Sequence, residues 1–199
     1  MTAQVADPAE APGLDPFPGR PALPQLGMMI FLASDLMLFA GFFAANFLLR
    51  AGSDAWPPPE VALDVRWSTV FTLVLVASSV TWATGMRRFS RTGDVRSLRR
   101  WTAFTMVLGA GFLANQLREY AAFDVGISSS AYASVYWCLT GLHAAHVFTG
   151  LLLLGVVLLR SWHPAFDRRD APAEESIGYF WHFVDGVWIA VYLTIFVLQ

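Results

Sequence analysis

The stretch Ala133–Leu159, ASVYWCLTGLHAAHVFTGLLLLGVVLL, contains no Asp, Glu, Lys or Arg. At about 1.5 Å rise per residue it exceeds the ~30 Å of a bilayer core, so it reads as a transmembrane helix that tilts or projects. Four more apolar stretches of about 20 residues or more flank it, at Gly27–Leu49, Trp67–Met86, Trp101–Tyr120 and Gly178–Leu198. The predicted fold is an all-α membrane protein, a bundle of five transmembrane helices. Trp56-Pro57-Pro58-Pro59 cannot be helical and marks the first loop.

Composition agrees. Of 199 residues, 56% are hydrophobic and 14% charged, with a mean hydropathy of +0.50; soluble domains are about a quarter charged. The net charge of -2 argues against nucleic acid as a partner. Cys138 is the single cysteine, so the chain makes no internal disulfide. Residues 1–25 are rich in Pro, Ala and acids, without the basic and apolar regions of a signal peptide. They are expected to form a flexible arm ahead of a membrane domain at 26–199.

All thirteen basic residues are Arg. Six fall between Arg87 and Arg100, and three between Arg160 and Ile177. With the N-terminus in the cytoplasm and the C-terminus outside, ten of the thirteen lie inside, as the positive-inside rule requires. Trp56, Trp67, Trp101, Trp162 and Trp181 fall near the predicted interfaces, where an aromatic belt is expected.

Ionisable groups at membrane depth are costly and need partners. Asp35 lies about 12 Å into the first helix and His146 about 20 Å from the inner end of the fourth. Asp35 is expected to meet His146 or His143, either as an interior hydrogen-bond partner or in a proton-relay or regulatory role. His143 and His146, at i and i+3, share a helix face and read as interhelical hydrogen-bonding contacts. His182 and Asp185 repeat that spacing in what reads as the first two turns of helix five, where an Asp suits the helix N-terminus and the two are expected to pair locally. Asn115, Gln116 and Glu119 add polar groups to helix three. Four His residues are too few and too scattered for a supported metal site. The chain has no P-loop, GxGxxG, CxxC or Ser-His-Asp pattern. No residue reads as catalytic, cofactor-binding or metal-ligating. Gly109, Gly111, Gly141, Gly150 and Gly155 allow close helix approach.

Several motifs occur in an order that resembles subunit III of the haem-copper respiratory oxidases, in its five-helix bacterial form. Trp181-His182-Phe183-Val184-Asp185-Gly186-Val187-Trp188 matches WHFVD-x-VW, with Glu175 seven residues before His182. Thr140-Gly141-Leu142-His143-Ala144-Ala145-His146-Val147 matches TG-[FL]-H-x-x-HV. Phe31–Gly41 is similar to the segment carrying the family's reactive carboxyl, with Asp35 where most members have Glu. Trp56–Pro59, Gln116–Tyr120 and Ser130–Ser134 match further segments.

The resemblance implies a non-catalytic subunit in a bacterial plasma (inner) membrane. It would brace oxidase subunit I, join subunit II in the complex, hold phospholipids and sustain proton uptake. It implies no cofactor in this chain, with haem a, haem a3 and copper in partner subunits. Arg160 matches the family's lipid-phosphate arginine, and its guanidinium suits bidentate phosphate binding. A cytochrome c oxidase of the aa3 type is the leading expectation. Gln116 and Tyr120 favour it over a quinol oxidase. A stand-alone five-helix channel or transporter is the alternative from another class.

Overall fold

The computed structural model describes residues 23–59, 61, 64–123 and 126–198. Among these residues there are five long helices: α1 Leu23–Ala51, α2 Val65–Thr92, α3 Val95–Ala122, α4 Ala131–Arg160 and α5 Ala171–Tyr192, the last continued by a π-helical turn at Leu193–Val197. No strand occurs among the described residues. Four of these helices are long and apolar enough to cross a membrane. α3 matches them in length, but its Arg-rich start and its Gln116–Glu119 end make it more polar.

The helices overrun the apolar stretches. α1 begins at Leu23, so Leu23, Pro24 and Gln25 of the expected arm are helical; a proline costs nothing in a first turn, where its missing N–H has no partner anyway. The rest of that arm lies outside the described residues. The six-Arg connection shrinks to Gly93 and Asp94. Arg is a good helix former, so the Arg-rich ends stay helical in water. The turn closes because Gly93 adopts φ 71° and donates to the Phe89 carbonyl at 2.8 Å, while Asp94 caps α3 through the Ser97 N–H at 3.0 Å. α5 likewise starts at Ala171, after a 3-10 turn over Arg168–Asp170 held by a capping box from Asp167. His182 and Asp185 therefore sit in mid-helix and not in the first two turns.

α5 is central. It packs against α1, α2 and α4, while α3 is flanked by α2 and α4. The most apolar window of α5 is 56% buried and that of α1 only 11%, so α1 is the peripheral helix.

Tryptophans seated on glycines set the close approaches. Trp181 is 1% exposed and fills the space above Gly109 of α3 and Gly150 of α4. A Cβ on Gly109 would lie 2.6 Å from the indole, and one on Gly150 2.7 Å. Trp101 occupies the space beside Gly85 in the same way, and Trp82 the space beside Gly178. Trp181 Nε1 donates to Ser78 Oγ at 3.0 Å, and Trp188 Nε1 to Thr72 Oγ1 at 2.9 Å. Trp181 is thus a core residue and not part of the aromatic belt. Its indole N–H finds a hydroxyl on α2, which removes the reason for it to seek the interface. Trp67 and Trp162 do remain exposed, at 48% and 67%. Trp56 folds the proline loop back onto α4, edge-on to Tyr132 at 5.0 Å.

Candidate functional site

Asp35 of α1 is 8% exposed and faces α4. Its Oδ2 lies 3.1 Å from His146 Nε2. The other ring nitrogen, Nδ1, lies 2.8 Å from the Leu142 carbonyl. A carbonyl can only accept, so Nδ1 carries a hydrogen. A proton must then lie between Nε2 and Oδ2 for that contact to be a hydrogen bond. Imidazolium with carboxylate, or imidazole with carboxylic acid, both satisfy it. Phe39 and Phe180 pack on the His146 ring at 5.2 Å and 6.2 Å and shield the pair.

His143 behaves differently. It is 0% exposed, and neither ring nitrogen meets a polar partner among the described residues. It packs against Trp188 at 4.7 Å and edge-on to Phe112 at 5.8 Å. The expected interhelical hydrogen bond is made by His146 and not by His143. The i, i+3 spacing spans about 300° of helix rotation. That offset turns one ring toward α1 and the other toward α3 and α5.

His182 and Asp185 are not paired directly. Ser79 of α2 stands between them. Its hydroxyl lies 2.8 Å from His182 Nδ1 and donates to Asp185 Oδ2. Asp185 is 5% exposed, and its Oδ1 has no partner among the described residues. His182 opens onto a groove of about 300 Å³ between α2 and α5, lined also by Arg87, Arg91, Glu175 and Tyr179.

Three clusters tie the helix ends. Glu119 accepts from Ser68 Oγ and from Asn115 Nδ2, each at 3.1 Å. Beside it, Tyr120 donates to Thr140 Oγ1 at 2.9 Å. Glu175 accepts from Gln25 Nε2 at 3.1 Å and Ser90 Oγ at 3.3 Å, joining α5 to α1 and α2. Arg160 forms ion pairs at 3.0 Å with Asp170 and with the fully buried Glu174. Its guanidinium, expected to meet a lipid phosphate, here also closes the α4–α5 connection.

Ser79, Ser68 and Glu174 were not singled out from the sequence. Two serines side by side at 78 and 79 within an apolar run were the available signal for the first. Among the described residues, no group of three or more His, Cys, Asp or Glu converges as a metal site would require.

A family model described as cytochrome c oxidase subunit III matches residues 21–199. The chain is 41% identical over 186 residues to the cytochrome c oxidase subunit 3 of Corynebacterium diphtheriae, with 90% of each chain covered. It is 41% identical over 184 residues to a probable cytochrome c oxidase subunit 3 of Nocardia farcinica, again covering 90% of each. With the cytochrome c oxidase subunit 3 of Thermostichus vulcanus it shares 32% identity over 199 residues, covering 100% of this chain and 98% of that one.

Proposed function

The chain belongs to the cytochrome c oxidase subunit III family, and from that premise we propose that it is a non-catalytic subunit of an aa3-type cytochrome c oxidase that sustains proton uptake and braces subunit I. Membership implies a multi-pass membrane protein working in a complex with other oxidase subunits. In this reading haem a, haem a3 and copper belong to subunits I and II. The Arg-rich end of the bundle faces the cytoplasm of a bacterium, as the nine Arg described at that end favour. Arg160, with 45% of its side chain exposed, contributes to holding a phospholipid.

The observation that carries the proton-supporting role is the Asp35–His146 contact. A shielded acid and base sharing one proton form a group that can hold and return a proton without stripping a charge bare in the membrane. The brace follows from polar clusters that tie three helices together: Ser79 links α2 to α5, and Glu175 links α5 to α1 and α2.

The test is turnover of the purified oxidase with and without this chain, followed over many cycles at neutral and alkaline pH. The depleted enzyme is expected to keep its haems, take up protons more slowly and lose activity sooner. Full activity and full working life at both pH values would refute the proposal.

A further inference from the structure

We propose that the outer groove between the start of α3 and the end of α4 is a binding site for one anionic phospholipid, its phosphate held by Arg96 and Arg100. The inference goes beyond the lipid contact assigned above to Arg160, and lies on different residues. The groove encloses about 870 Å³ and is lined by Arg96, Arg99, Arg100, Ala103, Leu158 and Trp162. That is the size range of sites that bury small organic molecules.

Charge identifies the occupant. Arg96 and Arg100 are spaced i, i+4 on α3, so their guanidinium groups share one face, both exposed. Like charges at this spacing repel. Neither has an acidic partner among the described residues. Arg160, by contrast, is already matched by Asp170 and Glu174. The uncompensated positive charge in this groove is therefore at Arg96 and Arg100, where an anion would relieve the repulsion.

The third arginine is wall and not ligand. Arg99 Nε donates to the Ser161 carbonyl and hydroxyl at 3.2 Å each, and its guanidinium lies 4.1 Å above the Trp162 ring. This fixes Trp162, 67% exposed, as one side of the groove. Below the charges the surface turns apolar. Ala103 and then Val107, 67% exposed, continue the stripe of Arg96 and Arg100 along α3. A free phosphate has no use for that strip, whereas an acyl chain does. Charged headgroup contacts above an apolar track at one end of a membrane bundle fit a phospholipid.

The test uses the intact oxidase in nanodiscs of phosphatidylcholine containing a minor fraction of phosphatidylglycerol. Phosphatidylglycerol retained after detergent washing is counted by mass spectrometry. Arg96→Gln/Arg100→Gln is expected to lose one retained phosphatidylglycerol per complex and to weaken its preference over phosphatidylcholine about tenfold. Ala103→Trp, which fills the groove and keeps both arginines, should lose the same lipid. Arg96→Lys/Arg100→Lys should keep most of it, and millimolar inorganic phosphate should not displace it. Unchanged retention in both the Gln and Trp variants would overturn the proposal. So would displacement by inorganic phosphate, which marks a free-anion site, or a cross-link from position 96 to an acidic segment of another subunit. Arg160→Ala is measured in parallel. If it alone loses lipid, this inference fails and the Arg160 reading survives.

Discussion

His146 donates from Nδ1 to the chain and turns Nε2 toward Asp35, so the imidazole and the carboxyl depend on each other. Removing one partner of a shielded hydrogen-bonded pair leaves the other unsatisfied, which costs about 1–3 kcal/mol. Asp35→Ala and His146→Phe are each expected to destabilise the subunit, and the double variant to lose less than the sum, with a coupling of about 1–3 kcal/mol. Denaturant titration of the four proteins of this cycle measures it, and strict additivity would show that the contact contributes nothing. Ser79 gives a second case. Ser79→Ala removes the hydroxyl donor to Asp185, whose other oxygen has no partner among the described residues. The expected loss is about 1–3 kcal/mol. The same substitution at Ser53, exposed just past the C-terminal end of α1, should fall within about 0.5 kcal/mol of the parent. Equal effects at both sites in thermal unfolding would contradict the bridge.

At the scale of helices, small residues matter only where an indole fills the space they leave. Gly109 and Gly150 face Trp181, and an added methyl would meet the ring at under 3 Å. Gly111 and Gly186 have open space there. Gly109→Ala and Gly150→Ala are expected to lose about 1–3 kcal/mol through overpacking. Gly111→Ala should be neutral or gain up to about 1 kcal/mol from helix propensity. Melting of the purified subunit distinguishes the two classes, and a stable Gly150→Ala would mean that Trp181 can move aside. The five glycines singled out in α3 and α4 look alike in sequence. The indole that separates them lies more than thirty positions from either of its seats on α3 and α4 in one case, Gly109, and in the next helix in the other, Gly150, so local pattern carries no trace of it.

For the molecule as a whole, burial falls from α5 outward to α1. Regions with few buried contacts open at low free energy. Amide exchange of the isolated subunit in detergent is expected to be fastest in α1 and slowest in α5. Docking into the oxidase should slow α1 exchange only where a partner covers it. Protection in α1 equal to that of α5 in the isolated chain would show that α1 is held by more than its contacts with α4 and α5.

Apolar runs, a proline loop and the crowding of Arg on alternate connections are local properties of the chain. They determined the five helices and their order, because a helix in lipid must satisfy its own backbone within one segment, while the family was legible from the ordered motifs at 31–41, 140–147 and 181–188. Where each helix stopped was not legible, since Arg and Glu continue a helix into water as readily as they end an apolar run. That Asp35 would meet an imidazole of α4 was legible from matched depth and mutual need, and that it is His146 was not. The isolation of His143, the insertion of Ser79 between His182 and Asp185, the burial of Trp181 and the two acids on Arg160 were decided only by the tertiary structure. Depth along a helix axis is counted from sequence, whereas the direction a side chain faces depends on how neighbouring helices are rotated about theirs, and that rotation is set by all the packed surfaces together.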